Sequence, residues 1–183
     1  MSRIPTPAAI SDAPTAAQAG LQAVEKKLGV VPNMFRLIAT SPAALEGYLG
    51  MSGALAKGTI GPALAERIAL AVAEVNACDY CLSAHTYLAK NLAKLDDAEI
   101  TANRSGASND PKIDAAVQFA AQVARKRGHV DEGDLRAITG AGWTHAELVE
   151  IVQHVALNCW TNFFNETFKT DIDFPLVTAR NPA

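Results

Sequence analysis

The stretch EVNACDYCLSAH, residues 74–85, carries two cysteines and a histidine at helical spacing. Each residue of an α-helix advances by about 100°, so Cys78, Cys81 and His85 would lie within an arc of roughly 60°. Thiols at positions i and i+3 are close enough to form a disulfide, and an imidazole four residues after the second thiol can reach its sulfur. In redox-active C-x-x-C pairs at least one thiol has a lowered pKa, because a helix N-terminus stabilises the thiolate. The stretch therefore predicts thiol chemistry on one face of a helix.

The composition favours a single helical domain. Of the 183 residues, 49% are hydrophobic but only 6% are aromatic, which indicates closely packed helices rather than sheets. A chain of this length is expected to form one domain with a substantial core. Sixteen Lys and Arg stand against nineteen Asp and Glu, so no basic excess indicates a nucleic acid or an anionic membrane as partner.

The N-terminus and the cysteine content favour a cytoplasmic protein. The opening residues, MSRIPTP, lack the apolar region of a signal peptide, and no apolar run is long enough to span a bilayer. Three cysteines, two of them in a C-x-x-C pair, do not form the disulfide framework typical of small secreted domains. We therefore expect a soluble protein in a reducing compartment.

Helix signals recur along the chain, and no period-two alternation extends far enough to predict a strand. Residues 1–15, rich in Pro, Ala and Ser, are expected to form an extended arm rather than packed structure, and residues 16–183 a single all-α domain. Asn76 is predicted to cap a helix that places Cys78 in its first turn, and Thr144 to open the last helix with a capping box. Helices are predicted over residues 16–28, 33–39, 42–57, 62–75, 77–95, 97–103 and 111–127, after Asp131, and from Thr144 onward.

The run ERIALAVA, residues 66–73, followed by C-x-x-C-x-x-x-H, resembles the core of the AhpD-like alkylhydroperoxidases. These proteins lie within the wider carboxymuconolactone decarboxylase-like superfamily. The similarity is densest over about residues 60–95 and is compatible with the rest of the chain, including DFP at residues 173–175. The pattern E-V-N-x-C-x-Y-C-x-x-A-H is most similar to the peroxidase-related branch. The resemblance implies an AhpD-like helical bundle.

The resemblance also implies a thiol peroxidase that acts as an antioxidant enzyme. In that family, the cysteine matching Cys81 attacks the hydroperoxide and becomes a sulfenic acid, and the cysteine matching Cys78 resolves it to a disulfide. Residues matching Glu66 and His85 form a proton relay, with a water, that activates the attacking thiol. The implied partners are a dithiol electron donor, either a lipoyl or a thioredoxin-like protein, and further copies of the chain in a trimer-based homo-oligomer. No metal and no cofactor besides the cysteines is implied.

Two residues, Tyr80 and Glu74, leave the composition of the proton relay open. Tyr80 stands where AhpD itself has a histidine, directly before the second cysteine, and a tyrosine does not take up a proton near neutral pH. Tyr80 is therefore a possible site residue whose effect on turnover is an open question. Glu74, four residues before Cys78, is a rival to Glu66 as the relay base because it lies nearer the thiols in the sequence.

Two other functions remain as alternatives. Cys78, Cys81 and His85 could form a non-catalytic redox switch, or three ligands of a zinc site whose fourth ligand no other histidine supplies at an obvious spacing. A lactone decarboxylase is a weaker alternative, because those enzymes of the superfamily do not depend on a C-x-x-C pair and a fold does not fix a function.

The last predicted helix carries polar residues besides its apolar face. Cys159 is expected to be a buried small hydrophobic residue. Asn158, Asn162 and Asn165 would lie near one another at i, i+4 and i+7, and a structural role is expected for them ahead of a role in lining the site. His154 is expected to be a core residue with its hydrogen bonds satisfied.

Overall fold

The computed structural model describes residues 1–180 and consists of α-helices joined by short turns, with no β-strand in that range. The predicted all-α class is confirmed. Among the described residues, no helix is both long enough and apolar enough to cross a membrane. The helices are α1 (Thr15–Leu28), α2 (Asn33–Ile38), α3 (Pro42–Leu55), α4 (Pro62–Val75), α5 (Asp79–Asn91), α6 (Asp97–Arg104), α7 (Pro111–Arg125), α8 (Glu132–Gly140) and α9 (His145–Phe168).

Helix α4 is the central element of the bundle and contacts α5, α6, α7 and α9. Its residues from Ile68 to Ala73 are all buried, so the helix is apolar on several faces. Ala69, Ala71 and Ala73 keep the helix thin, which lets neighbouring backbones approach closely. Glu66 lies on the partly exposed side of this helix, in its second turn.

The predicted helix starts agree with the caps in the structure. Ser41 accepts a hydrogen bond from the N–H of Ala44, and Pro42 follows it at the first helical position. Thr144 and Glu147 form the predicted capping box at the start of α9. Such caps satisfy the backbone N–H groups that a helix leaves free in its first turn, so their sequence signals predict helix starts well.

The turn between α4 and α5 differs from the prediction. Asn76 ends α4 instead of opening α5, and Ala77 has the left-handed φ of 52°. The N–H of Cys78 bonds the carbonyl of Ala73 at 3.0 Å, and the N–H of Ala77 bonds that of Glu74 at 3.2 Å, which is the Schellman pattern of helix ends. Cys78 is therefore the N-cap of α5 and not part of its first turn. Glycine is the usual residue at the left-handed position, so alanine there concealed the helix end.

Part of the N-terminal segment contacts the bundle, whereas the sequence predicts an extended arm without packed structure. A short 3-10 helix spans Ile10–Asp12, and Ala13 is buried against the cluster formed by α1, α2 and α3. The backbone N–H of Arg3 donates to the carbonyl of Phe168 at 2.7 Å, which ties the N-terminus to the end of α9. The apolar side chains of Ile10 and Ala13 pack against this cluster. The division of the chain at residue 15 stays a prediction.

A buried carboxylate joins α6 to α4. Burial alone would raise the pKa of Glu99, but hydrogen bonds from Ser108, Arg67, the Asn109 N–H and Asn103 outweigh it and lower the pKa to about 2. The bond from Arg67 Nε to Glu99 Oε1 is 2.7 Å long. Because Arg67 directly follows Glu66, this ion pair also fixes the segment of α4 that carries the candidate relay carboxylate.

Candidate functional site

Cys78 and Cys81 form a disulfide at the N-terminus of α5, as their spacing predicts, with their Cα atoms 5.3 Å apart. Cys78 is fully buried and Cys81 is 3% exposed. The N–H of Cys81 donates to the Sγ of Cys78 at 3.2 Å, so the sulfur of Cys78 is the acceptor that caps the helix. Both sulfurs therefore lie near the positive end of the helix dipole, an environment that favours a thiolate in the reduced protein.

Glu66 and His85 meet across the α4–α5 pair. His85 Nδ1 lies 2.8 Å from Glu66 Oε2, and each side chain is about one-fifth exposed. The two residues lie on adjacent helices, as predicted, since the turn at residues 76–78 folds α5 back along α4, and their convergence on Cys81 stays a prediction. When the neutral imidazole donates its Nδ1 proton to the carboxylate, its Nε2 is left as the free base. The roles of both residues in catalysis stay predictions.

Glu74, the rival to Glu66, is engaged elsewhere. Its Oε2 accepts from Arg104 Nε at 2.6 Å, and its Oε1 accepts from the backbone N–H of Arg180 at 2.7 Å. One carboxylate oxygen thus joins α4 to α6, and the other holds the chain's C-terminal segment. This geometry supports Glu66 rather than Glu74 as the partner of His85.

Tyr80 anchors three parts of the chain. Its hydroxyl donates to Asp173 Oδ1 at 2.9 Å and accepts from the backbone N–H of Met34 at 3.1 Å. Burial, together with the Asp173 carboxylate, raises the pKa of Tyr80 far above its ordinary value. The hydroxyl therefore stays protonated and serves as a link between α5, α2 and the C-terminal segment.

The C-terminal segment, residues 170–180, lies across the beginning of α5. The N–H of Val177 donates to Ser83 Oγ at 2.9 Å, and the N–H of Ala179 donates to Asp79 Oδ1 at 2.8 Å. Phe174 packs edge-on against Tyr80, with ring centroids 5.9 Å apart. The segment's apolar side chains complete the cluster that surrounds the two cysteines. The packing of this segment over the cysteines was not predicted; DFP at residues 173–175 was its only signal in the sequence.

Asn165 on α9 contacts the site, contrary to the expected structural role. Its Nδ2 lies 3.3 Å from Cys81 Sγ, and the residue is 2% exposed. Asn162 and Asn158 do have structural contacts. Asn162 Oδ1 accepts from Asn76 Nδ2 at 2.9 Å, and Asn158 Nδ2 donates to the carbonyl of His154 at 2.8 Å.

Two further expectations for α9 need correction. Cys159 is half-buried instead of buried, it is not disulfide-bonded, and it accepts from Asn76 Nδ2 at 3.5 Å. Burial raises the pKa of the Cys159 thiol. His154 is buried, but its Nε2 has no hydrogen-bond partner within residues 1–180, and burial lowers the pKa of its imidazole. Its position on a mostly apolar helix face did not provide the partner that was expected.

Aromatic residues lie beside the Glu66–His85 pair. Burial, with a contribution from the negative charge of Glu66, raises the pKa of Tyr48 to about 12. Tyr48 stacks on Trp160, with ring centroids 5.7 Å apart, and Trp160 stacks on Phe164 at 5.6 Å. No pattern in the sequence predicts this group, because its members come from α3 and α9 and meet only in the folded chain.

No metal-binding cluster stands out in the described part of the chain. Between residues 1 and 180, no group of three or more His, Cys, Asp or Glu side chains is arranged to hold a metal ion. Both thiols of the zinc alternative are joined in the disulfide.

Comparison with known proteins agrees with the fold. The Carboxymuconolactone decarboxylase family matches residues 42–125. An AhpD-core, peroxidase-related protein from Ralstonia eutropha JMP134 superposes with a TM-score of 0.83 at 24% identity, covering 94% of this chain and 92% of that one. The debrominase Bmp8, as a cysteine variant in complex with 2,3,4-tribromopyrrole, gives 0.79 at 21% identity over 94% of each chain. A peroxidase-related protein from Silicibacter sp. TM1040 gives 0.80 at 22% identity, covering 93% and 91%. No curated protein matches the sequence significantly.

The fold and the dithiol site define an all-α protein with an AhpD-like helical bundle. The family match over residues 42–125 and the shared fold support the AhpD-like, carboxymuconolactone decarboxylase-like superfamily that the motif predicts. Its assignment to the peroxidase-related branch stays a prediction.

Proposed function

We propose that the chain is a thiol peroxidase that reduces hydroperoxides to alcohols through Cys78 and Cys81. One observation carries the proposal: a C-x-x-C disulfide lies at the N-terminus of α5, and His85, one turn further along α5, pairs with the Glu66 carboxylate on the neighbouring α4. A dithiol at a helix N-terminus supplies a nucleophile, and a neighbouring base supplies a route for its proton.

The proposed cycle begins with the reduced protein. The Cys81 thiol gives its proton to the relay of His85 and Glu66, and the thiolate attacks one peroxide oxygen. An S–O bond forms, the O–O bond breaks, and the leaving alkoxide takes up a proton to give the alcohol. Cys78 then attacks the sulfenic sulfur, so that the disulfide forms and water leaves. An external dithiol returns two electrons and two protons, and is itself oxidised to a disulfide.

Thiol titration gives the first test. One equivalent of hydroperoxide added to the reduced protein is expected to remove two titratable thiols per chain, because only Cys78 and Cys81 cycle. Cys159 is expected to stay unreacted until the protein unfolds, since its thiol is half-buried and its pKa is raised. A Cys159→Ala variant should lose the same two thiols. Loss of three thiols, or of none, contradicts the assignment.

Turnover separates the enzyme from the redox-switch alternative. A switch would also form the disulfide, but it would not consume peroxide catalytically when dithiol donors are supplied. The assay therefore measures peroxide consumption with lipoyl and thioredoxin-like donors. Stoichiometric zinc in protein purified without chelator would favour the zinc alternative. A cytoplasmic location belongs to the same proposal, because the cycle needs a reducing compartment to supply the donor.

We also propose that the chain forms a homo-oligomer, built from trimers. Helix α9 exposes an apolar face on which Val149, Val152 and Phe163 are 68%, 44% and 59% exposed. These residues lie on one side of the helix at i, i+3 and i+14, and such a face is typical of an interface. Val152→Glu and Phe163→Glu are expected to reduce the mass measured by light scattering. Leu176→Glu, an equal change at an exposed residue away from α9, is the control, and an equal loss of mass there would contradict this interface.

A further inference from the structure

Asn165 makes an unusual contact for a buried asparagine. Its Nδ2 points at the sulfur of Cys81, 84 residues away in the chain, at 3.3 Å. Its Oδ1 has no hydrogen-bond partner within residues 1–180. A disulfide sulfur is a weak acceptor, so in the oxidised protein the Nδ2–H group has only a weak partner. Buried amides are normally hydrogen-bonded, and one that is not calls for an explanation.

The reduced protein supplies a stronger acceptor for the Nδ2–H group. When the disulfide opens and Cys81 loses its proton, its sulfur becomes an anion that accepts hydrogen bonds strongly. Cys81 is 3% exposed and Asn165 is 2% exposed, so little water competes for the charge. A hydrogen bond in such a dry environment stabilises a charge more than the same bond in water does.

We propose that Asn165 is a catalytic residue that stabilises the Cys81 thiolate through its Nδ2–H. The inference rests on the proposed function in that it takes Cys81 as the reactive thiol. It adds a third element to the site, because Asn165 reaches the sulfur from α9 while the cysteines lie on α5 and Glu66 on α4. Two consequences follow: Cys81 ionises at lower pH, and the reduced state of the pair is favoured over the disulfide.

The test isolates Cys81 as the sole thiol in a Cys78→Ser, Cys159→Ala background. The rate of alkylation by iodoacetamide is measured against pH, because only the thiolate reacts. Asn165→Leu and Asn165→Ala both remove the donor. Each is expected to raise the pH midpoint of alkylation by about 1 to 2 units, the usual worth of a hydrogen bond to a charged group. Asn165→Ala is smaller than the native residue, so it fits the site if the leucine variant does not fold.

Asn158→Leu is the matched control. Asn158 is a buried asparagine on the same helix, but its amide donates to the carbonyl of His154 and not to the sulfur of Cys81. Its midpoint should stay within about 0.3 unit of the background. Asn165→Gln keeps an amide, so its midpoint should rise less than that of Asn165→Leu or Asn165→Ala. With both cysteines present, Asn165→Leu should lower the equilibrium constant for reduction of the disulfide by dithiothreitol about tenfold or more.

An unchanged midpoint in the folded Asn165 variants, or an equal rise in Asn158→Leu, would overturn the proposal. The readout is independent of peroxidase activity. If the protein consumes no peroxide but the midpoint shifts, the proposed function fails and the role of Asn165 stands. If peroxide is consumed and the midpoint does not move, the role of Asn165 fails alone.

Discussion

A Cys81→Ser variant is expected to lose peroxide reduction completely, whereas Cys78→Ser should carry out one attack and stop at a sulfenic acid. Serine in place of the attacking thiol is a far weaker nucleophile, since an alcohol is not ionised near neutral pH. Without Cys78, no second thiol is available to resolve the sulfenic acid. Steady-state peroxide consumption measures the first effect, and a sulfenic acid trap followed by mass spectrometry measures the second.

The structure makes the reverse assignment a real competitor. Cys78 is the N-cap of α5, where the helix dipole acts most directly, and its sulfur accepts the N–H of Cys81. A trapped sulfenic acid on Cys78 in the Cys81→Ser variant would therefore exchange the two roles. Cys159→Ser serves as the control and should retain full activity, because that thiol lies outside the disulfide.

Glu66→Gln and His85→Gln are each expected to slow the peroxide step by about 10²–10⁴-fold, the usual worth of a positioned acid–base group. Glu66→Gln removes the carboxylate that lies 2.8 Å from the imidazole, and His85→Gln removes the imidazole base itself. Both side chains are partly exposed, so the variants should remain folded. Rapid mixing of reduced protein with peroxide measures this step separately from reduction by the donor.

Glu74→Gln is the matched control, the same substitution two turns along the same helix. It removes the ion pair with Arg104 and should lower the thermal stability without a comparable loss in the peroxide step. The relay assignment fails if Glu66→Gln keeps the wild-type rate while Glu74→Gln, shown to be folded, loses it.

Local signals in the sequence were enough to predict where most helices begin. Caps and prolines predicted where α3, α4 and α7 begin, because those residues satisfy or remove the backbone N–H groups of a first turn. The turn before α5 was the exception, since the left-handed residue is Ala77 and no glycine marks it. The resulting error of two residues moved Cys78 from the N-cap into the helix.

The site was predictable only in part. The spacing of Cys78, Cys81 and His85 indicated the dithiol face, and resemblance to a known family added Glu66. Asn165, Tyr48 and the C-terminal segment came from distant parts of the chain, and no local periodicity relates them to the cysteines. Tertiary contacts of this kind leave no pattern in a single sequence, so Asn165 looked like any asparagine on a helix.

The hydrogen bonds that hold the C-terminal segment depend more on the sequence of the bundle than on the sequence of the segment itself. The segment has no regular secondary structure, and side chains of Ser83, Asp79 and Glu74 accept the backbone N–H groups of its residues 177, 179 and 180. Bonds to the backbone do not depend on which side chain the segment carries. These three hydrogen bonds therefore tolerate any residue but proline, which lacks the N–H, at positions 177, 179 and 180, while the three accepting side chains on the bundle are constrained. Only the packing of Val177 and Ala179 on the cysteine cluster and the side-chain bonds of Arg180 restrict the segment's own sequence.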